Sequence, residues 1–262
     1  MASPSVIALT GKVIIQFGGT GLLGRALVQA LAAAGATLVV ASRNRAQLES
    51  LAAREAAAGR NVLIEETDIG SEASLANLRD RVLAQHGRID GIVFNAVTRP
   101  MRAMGDDLAL WRASMETNAT GFFATCRMFG DAMARQPTGG SIVNIASIYG
   151  QVGSNPSLYE GTSMTTAPDY FFHKGGMVNL TRYLASHYGP SRVRVNVVSP
   201  GGIFNPDAPQ AAEFIARYNR VTMLGRMCEA HEVGGAVIFL LSDASTYVTG
   251  ANLPVDGGHT AK

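Results

Sequence analysis

The sequence predicts an α/β fold in which a parallel sheet of about seven strands is covered by helices on both faces. Short runs rich in Val and Ile alternate with longer Ala- and Leu-rich segments of helical period, the pattern of repeated βα units. The strand runs are apolar at consecutive positions, as expected of strands that are buried on both faces. No change in composition divides the 262 residues, so we expect one domain spanning 1–262.

The elements follow one another in a regular order. Six strands are predicted at 12–17, 36–41, 62–65, 91–94, 141–146 and 193–198, and a seventh near the C-terminus. Helices are predicted at 22–34, 45–58, 71–86, 107–135, 170–187 and 229–241. A polar insertion near 149–169 separates a strand from a helix, and its length predicts a functional loop beside the substrate.

Composition and charge exclude several classes of protein. The 22 basic and 20 acidic residues nearly balance, and the basic residues are scattered, so we expect no nucleic-acid partner. Two Cys and five His without ligand spacing predict no metal site. No apolar run is long enough to span a bilayer and no leader pattern is seen, so we expect no membrane association and a cytoplasmic location.

A glycine-rich turn joins the first strand to the first helix. It contains Gly18, Thr20 and Gly21 and leads into Leu22 and Leu23. Glycines let the backbone turn sharply and approach a pyrophosphate, whose charge is stabilised by the free N–H groups of the helix N-terminus. This turn predicts a dinucleotide site. The alternative is a turn that only packs the helix against the strand.

The second strand ends without the carboxylate that an NAD-preferring site would place there. Ser42 and Arg43 occupy the position and are suited to bind a 2′-phosphate, so NADP(H) is the preferred cofactor and NAD(H) the alternative. Arg43 is otherwise a solvated residue at a helix start. Asp68 is placed to accept from an adenine amino group, and Asn95 follows the fourth strand beside the cofactor. Either residue is also suited to cap a turn.

Tyr170 and Lys174 lie four residues apart on a predicted helix, a spacing that places them on one face. A phenol titrates near pH ~10, and a neighbouring cation lowers its pKa enough for acid–base work. Ser147, at the end of the fifth strand, is suited to donate a hydrogen bond to a substrate oxygen. Such a Tyr–Lys spacing is common by chance, so it indicates a catalytic pair only in combination with the other motifs of the sequence.

Taken together, these residues resemble the short-chain dehydrogenase/reductase family, from the glycine turn to the closing 255–258 segment. The resemblance implies a Rossmann-type doubly wound sheet and an NAD(P)(H)-dependent oxidoreductase that interconverts a secondary alcohol and a ketone, with Tyr170 as general acid/base. It implies a water held by Asn118, a substrate-covering segment near 203–224 and a homotetramer or homodimer. It also implies further cofactor contacts at Ile69, Ala96, Pro200, Gly201 and Ile203.

Some features depart from the family pattern. The GxxGxxG spacing is more like that of sugar-nucleotide epimerases and dehydratases, which gives one alternative function; a non-catalytic dinucleotide-sensing module is another. The insertion shows a weaker resemblance to members linked to bacterial surface-sugar or flagellin-glycan biosynthesis. Tyr149, Tyr159 and Glu160 are therefore candidates to bind hydroxyls, and Arg99 or Arg102 a carboxylate or phosphate. The alternative for each is a loop residue that faces water.

Overall fold

The computed structural model describes residues 7–261, and its centre is one sheet of seven parallel strands. The strands are β1 (Val13–Phe17), β2 (Thr37–Ser42), β3 (Val62–Glu66), β4 (Gly91–Phe94), β5 (Gly140–Ile145), β6 (Val193–Pro200) and β7 (Asn252–Val255). Their order across the sheet is β3-β2-β1-β4-β5-β6-β7. The predicted fold class and strand number are therefore confirmed.

Helices connect the strands and cover both faces of the sheet. They are α1 (Leu22–Ala33), α2 (Arg45–Ala57), α3 (Glu72–His86), α4 (Leu108–Met115), α5 (Phe122–Ala134), α6 (Pro168–Tyr188), α7 (Ala212–Val221) and α8 (Glu232–Leu241). The region predicted as a single helix over 107–135 is interrupted, because Glu116–Gly121 forms a π-helical turn between α4 and α5. Such turns are rare overall, but those that occur are often found at functional sites.

Alternate residues of the strands point to opposite faces, so the sheet separates two apolar cores. Ile15 and Phe17 belong to one core, and Ile14 to the other. A third group of buried residues lies apart from both cores, at the carboxyl edge of the sheet. This satellite cluster consists of Leu158, Phe214, Tyr218 and Met227.

The order of the strands positions the functional site. The chain continues from β1 to β2 and β3 on one side, and then crosses to β4, which pairs with the other side of β1. A crevice forms where the strand order reverses in this way, outside the carboxyl ends of the strands. Among residues 7–261, no helix combines the length and the apolar character needed to cross a membrane.

Candidate active site

The turn after β1 is held by backbone contacts that only glycine permits. Gly18 has a φ of +83°, and a Cβ atom there would lie 2.7 Å from the backbone of Ala96. A Cβ atom on Gly24 would collide with the carbonyl oxygen of Gly18. The side-chain amide of Asn95 donates through Nδ2 to that same carbonyl oxygen, with an N–O distance of 2.7 Å. The turn is thus fixed against the end of β4, and Asn95 positions it.

The start of α1 can receive an anion. Its N-cap is Gly21, no side chain caps the helix, and its first turn contains no acidic residue. A Cβ atom on Gly21 would meet nothing within 4 Å, so this glycine faces open space. The free N–H groups and the positive end of the helix dipole suit a pyrophosphate at this position. The residues present therefore fit a dinucleotide.

A cleft of about 1420 Å³ runs from this turn along the carboxyl ends of the strands. It exceeds the volume of about 300–1,000 Å³ typical of a site for one small molecule, so it has room for a dinucleotide and a second ligand. Most of the predicted cofactor residues line it: Gly18, Thr20, Gly21, Leu22, Leu23, Ser42, Arg43, Ile69, Asn95, Ala96, Tyr170, Lys174, Pro200, Gly201 and Ile203.

Asp68 does not line this cleft. It borders a smaller hollow beside Arg43, and its carboxylate accepts from the backbone N–H of Gly70 at 3.0 Å. The side chain therefore caps its own turn, and its proposed adenine contact stays a prediction. Arg43 borders both spaces, is exposed and forms no ion pair with any residue in 7–261.

The structure brings Ser147, Tyr170 and Lys174 together at the other end of the cleft. Ser147 follows β5, and its Oγ accepts from the backbone N–H of Tyr149 at 3.2 Å. Lys174 lies one turn after Tyr170 on α6, with its Nζ 5.7 Å from the centre of the Tyr170 ring. Nζ donates to the carbonyl of Ile145 at 2.6 Å. This bond fixes the ammonium at the end of β5, on the side of the serine.

Burial shapes the charges around Tyr170. Burial, with the charge of Arg99 as a second cause, lowers the pKa of Lys174 to about 7. The same two causes and Lys174 lower the pKa of His173 to about 3, which keeps that imidazole neutral at physiological pH. His173 is 3% exposed and packs its ring edge-on to Tyr170, with centroids 5.2 Å apart. Neither ring nitrogen of His173 has a hydrogen-bond partner among the described residues, so its observed contact is the packing against Tyr170.

Asn118 lies in the π-helical turn and is buried behind the cleft rather than lining it. Its Oδ1 accepts from the N–H of Thr98 at 3.0 Å, and its Nδ2 donates to the carbonyl of Thr98 at 2.9 Å. Nδ2 also donates to Ser114 Oγ at 2.9 Å, and Ser114 donates to Asp169 Oδ2 at 2.5 Å. The amide is fully engaged in holding these segments together, and its water-binding role stays a prediction.

The sequence reasoning did not identify Asp169 and Ser114. Asp169 is 1% exposed and lines the cleft, and its Oδ1 has no hydrogen-bond partner among the described residues. A buried carboxylate next to Tyr170 in sequence is unusual, because a charged group at such a site needs partners. The position of Asp169 before the tyrosine was visible in the sequence, but its burial and its contact with Ser114 were not.

The insertion folds back over the cleft as a loop with a short 3₁₀ turn at Pro156–Leu158. The hydroxyls of Tyr149 and Tyr159 are hydrogen-bonded to each other, and the Tyr159 ring packs against Phe214 of α7 at 5.3 Å. Burial raises the pKa of both tyrosines. Both rings line the cleft.

The remaining predicted substrate residues differ in their positions. Arg99 and Arg102 line the cleft. Glu160 does not: it is exposed, and its backbone carbonyl accepts from Arg217. Within the described part of the chain, no three His, Cys, Asp or Glu side chains are grouped as metal ligands.

Along almost its whole length, the chain is similar to known dehydrogenases. A family model described as enoyl-(acyl carrier protein) reductase matches residues 21–260. The 2,5-dichloro-2,5-cyclohexadiene-1,4-diol dehydrogenase of Sphingobium indicum is 36% identical over 260 residues, covering 97% of this chain and 98% of that protein. The cis-4-hydroxycyclohexanecarboxylate dehydrogenase of Sinomonas cyclohexanicum is 36% identical over 263 residues, with the same coverage of 97% and 98%.

Solved structures agree with these relatives. A gluconate 5-dehydrogenase from Burkholderia cenocepacia, in complex with NADP and tartrate, superposes with a TM-score of 0.86 at 27% identity and 98% coverage of both chains. A short-chain dehydrogenase from Leptospira borgpetersenii with bound NAD⁺ also gives 0.86, at 26% identity, covering 99% of this chain and 97% of that one. Structures similar to this one thus hold either cofactor.

Proposed function

Because this chain belongs to the short-chain dehydrogenase/reductase family, we propose that Tyr170, Lys174 and Ser147 perform its chemistry. The chain is an NAD(P)-dependent oxidoreductase that interconverts a secondary alcohol and a ketone. The observation that supports the residue roles is the convergence of a phenol, an ammonium and a serine hydroxyl at one end of the cofactor cleft.

When bound, the nicotinamide ring supplies or accepts the hydride. Tyr170 donates its phenolic proton to the substrate oxygen during reduction and takes that proton back during oxidation. When protonated, Lys174 places a positive charge 5.7 Å from the centre of the Tyr170 ring, where it favours the phenolate. Ser147 donates a hydrogen bond to the substrate oxygen and stabilises the charge that develops there.

We propose NADP(H) as the preferred cofactor, with NAD(H) as the alternative. The free guanidinium of Arg43 and the hydroxyl of Ser42 lie at the end of β2, where they suit a 2′-phosphate. Glu66 borders the adjacent hollow beyond Arg43. It is exposed, so its effect on a phosphate is screened by solvent.

The substrate is a small secondary alcohol, and we propose a ring or polyol that the loop near 149–169 and the segment near 203–224 enclose. Relatives named for a cyclic diol and for a hydroxycyclohexane acid support a ring. Tyr149 and Tyr159 line this part of the cleft and offer hydroxyl groups to it. Glu160, being exposed, would require a movement of the loop to reach the substrate. A sugar-like substrate linked to surface-glycan synthesis remains the weaker proposal.

The assembly and location of the enzyme also belong to this proposal. We propose a single domain over 1–262, assembled as a homotetramer or homodimer through the long helices α5 and α6, in the cytoplasm. Aromatic side chains exposed on that surface support the assembly, since exposed apolar residues favour association. Phe123 is 39% exposed on α5 and Phe172 is 59% exposed on α6.

Replacing Tyr170 with Phe tests the catalytic assignment. We expect turnover of cyclic secondary alcohols to fall by about 10²–10⁴-fold, because the variant cannot exchange a proton with the substrate oxygen. NADPH binding, followed by nicotinamide fluorescence, should remain close to wild type. A wild-type protein that binds cofactor but turns over nothing in a broad panel of alcohols and ketones would instead favour the dinucleotide-sensing alternative. Formation of an epimer or a dehydration product would favour the other alternative.

A further inference from the structure

The guanidinium of Arg99 lies against the ring of Tyr170. Its central carbon is 4.8 Å from the ring centroid, within the range of a cation–π contact. Arg99 follows β4, lines the cleft and is exposed to it. The guanidinium N–H groups of Arg99 form no hydrogen bond or ion pair with the described residues, so they are available to a ligand.

A buried chain of hydrogen bonds fixes Arg99 relative to Tyr170. Asp169 accepts from Ser114, Ser114 accepts from Asn118, and Asn118 is bonded to both backbone groups of Thr98. Asp169 directly precedes Tyr170, and Thr98 directly precedes Arg99. The backbone segments that carry the two residues are therefore anchored to each other, which lowers the cost of ordering the site when a ligand binds.

The charges around Arg99 are not balanced by the protein. Arg99 forms no ion pair with a carboxylate of residues 7–261, and Asp169 is the one acidic residue among those described that line the cleft. That carboxylate accepts from Ser114 and forms no ion pair with Arg99. Arg102 differs, because the carboxylate of Asp106 accepts from its backbone N–H at 2.5 Å and carries a compensating charge nearby. The substrate end of the cleft is therefore positively charged at Arg99.

We propose that the substrate is a hydroxy acid, or the corresponding oxo acid, whose carboxylate binds Arg99 while its carbinol carbon faces Tyr170. This inference rests on the proposed function, because it names the substrate class of the same site. A carboxylate matches the planar N–H pair of a guanidinium, which binds it through two parallel hydrogen bonds. Arg99 and Tyr170 are in contact, so one small ring can reach both. Arg99 thus selects among alcohols by charge and orients the one that binds.

A binding experiment tests the inference independently of turnover. Cyclohexanecarboxylate and its neutral counterpart, cyclohexanecarboxamide, are titrated calorimetrically into the enzyme saturated with NADP⁺. We expect wild type to bind the acid roughly tenfold or more tightly than the amide, since a charge-assisted bidentate pair exceeds a neutral contact. Arg99→Gln should lose this preference, and Arg99→Lys should restore part of it.

Two further variants separate the role of Arg99 from that of charge in general. Arg112→Gln removes one positive charge at an exposed position outside the cleft and should keep the acid preference. Ser114→Ala breaks the buried chain without changing any charge and should weaken acid binding more than amide binding. Loss of the preference for acid over amide in Arg112→Gln would overturn the assignment to Arg99. The same conclusion would follow if Arg102→Gln lost this preference while Arg99→Gln kept it.

Turnover distinguishes failure of this inference from failure of the proposed function. The pair 4-hydroxycyclohexanecarboxylate and its methyl ester is assayed with wild type and Arg99→Gln. Equal kcat/KM values for acid and ester in wild type would overturn the inference and leave the dehydrogenase function intact. Absence of turnover with both, alongside acid binding that depends on Arg99 and turnover of other alcohols, would support an anion site and overturn the hydroxy acid as the substrate. Absence of turnover across a broad panel of alcohols and ketones would reject the proposed chemistry. Absence of acid binding by wild type would overturn the inference outright.

Discussion

The two ends of the cleft are built in different ways. At the cofactor end, backbone lies directly on backbone: Gly18 packs against Ala96, and Gly24 packs under the carbonyl of Gly18. At the substrate end, side chains meet side chains, as in the hydroxyl contact between Tyr149 and Tyr159. At Gly18 and Gly24 the cofactor end leaves no room for an added carbon atom, whereas the substrate end is held by contacts that a change of residue can replace.

This difference teaches which end is fixed and which can vary. A turn made of backbone presents the same N–H groups whatever the neighbouring side chains are, so it suits a cofactor that never changes. Contacts among tyrosines and loop residues depend on the identity of each side chain, so they suit the part of the site that determines the substrate. Each prediction below tests one end against the other.

The largest effect is expected from Gly24→Ala. Its methyl group would collide with the carbonyl of Gly18, so the turn must shift. We expect a loss of about 1–3 kcal/mol in the free energy of unfolding, and NADPH affinity at least about 100-fold lower. Urea unfolding and fluorescence titration measure the two quantities.

Gly21→Ala is the matched control for that substitution. Its Cβ atom meets nothing within 4 Å, and its φ of −78° with ψ of 176° is open to any residue. The free energy of unfolding should therefore stay within about 0.5 kcal/mol of wild type, while NADPH binding weakens because the methyl group enters the pyrophosphate space. Wild-type NADPH affinity in both variants would contradict the placement of the cofactor at this turn.

A smaller effect is expected from Arg43→Ala. Removing the guanidinium should weaken NADPH binding by roughly 10- to 100-fold and leave NADH binding almost unchanged, because only NADPH carries the 2′-phosphate. Arg54→Ala, on α2, which follows Arg43, and outside the cleft, is the control. Tighter binding of NADH than of NADPH by wild type would remove the proposed role of Arg43.

The smallest effect is expected from Tyr159→Phe at the substrate end. The variant loses the hydrogen bond to Tyr149 but keeps the ring contact with Phe214. We expect a change of about 1 kcal/mol or less in the free energy of unfolding and a several-fold rise in the KM for substrate, with NADPH affinity unchanged. Tyr247→Phe, at a fully exposed tyrosine, is the control. A Tyr159→Phe variant that loses NADPH binding would show that the two ends are not independent.

Much of this architecture could be predicted from the sequence because it depends on local patterns. Runs of apolar residues determine the strands, and the i, i+4 spacing places Tyr170 and Lys174 on one face of α6. The glycine turn was equally visible in the sequence, and the structure shows that Gly18 and Gly24 are required here by close backbone packing.

Contacts between distant segments could not be predicted in this way. Ser114 and Asp169 are 55 residues apart, and nothing in either local sequence indicates that the Ser114 hydroxyl donates a hydrogen bond to the Asp169 carboxylate. The contact of Arg99 with Tyr170 likewise joins segments 71 residues apart, so the sequence could name the arginine but not its partner. Asp68 illustrates the converse: one carboxylate oxygen caps its own turn, as the alternative from its residue type predicts, and its adenine contact stays a prediction.

The satellite cluster of Leu158, Phe214, Tyr218 and Met227 shares no residue with the two cores that flank the sheet. We therefore expect that residues 151–166 of the insertion can be varied together with α7, except Tyr218, whose hydroxyl accepts from the Gly202 N–H, while the sheet and both cores retain their packing. Libraries confined to these two segments should contain a high fraction of folded variants. The same separation gives natural descendants of this chain a route to new substrates that does not first require extra stability.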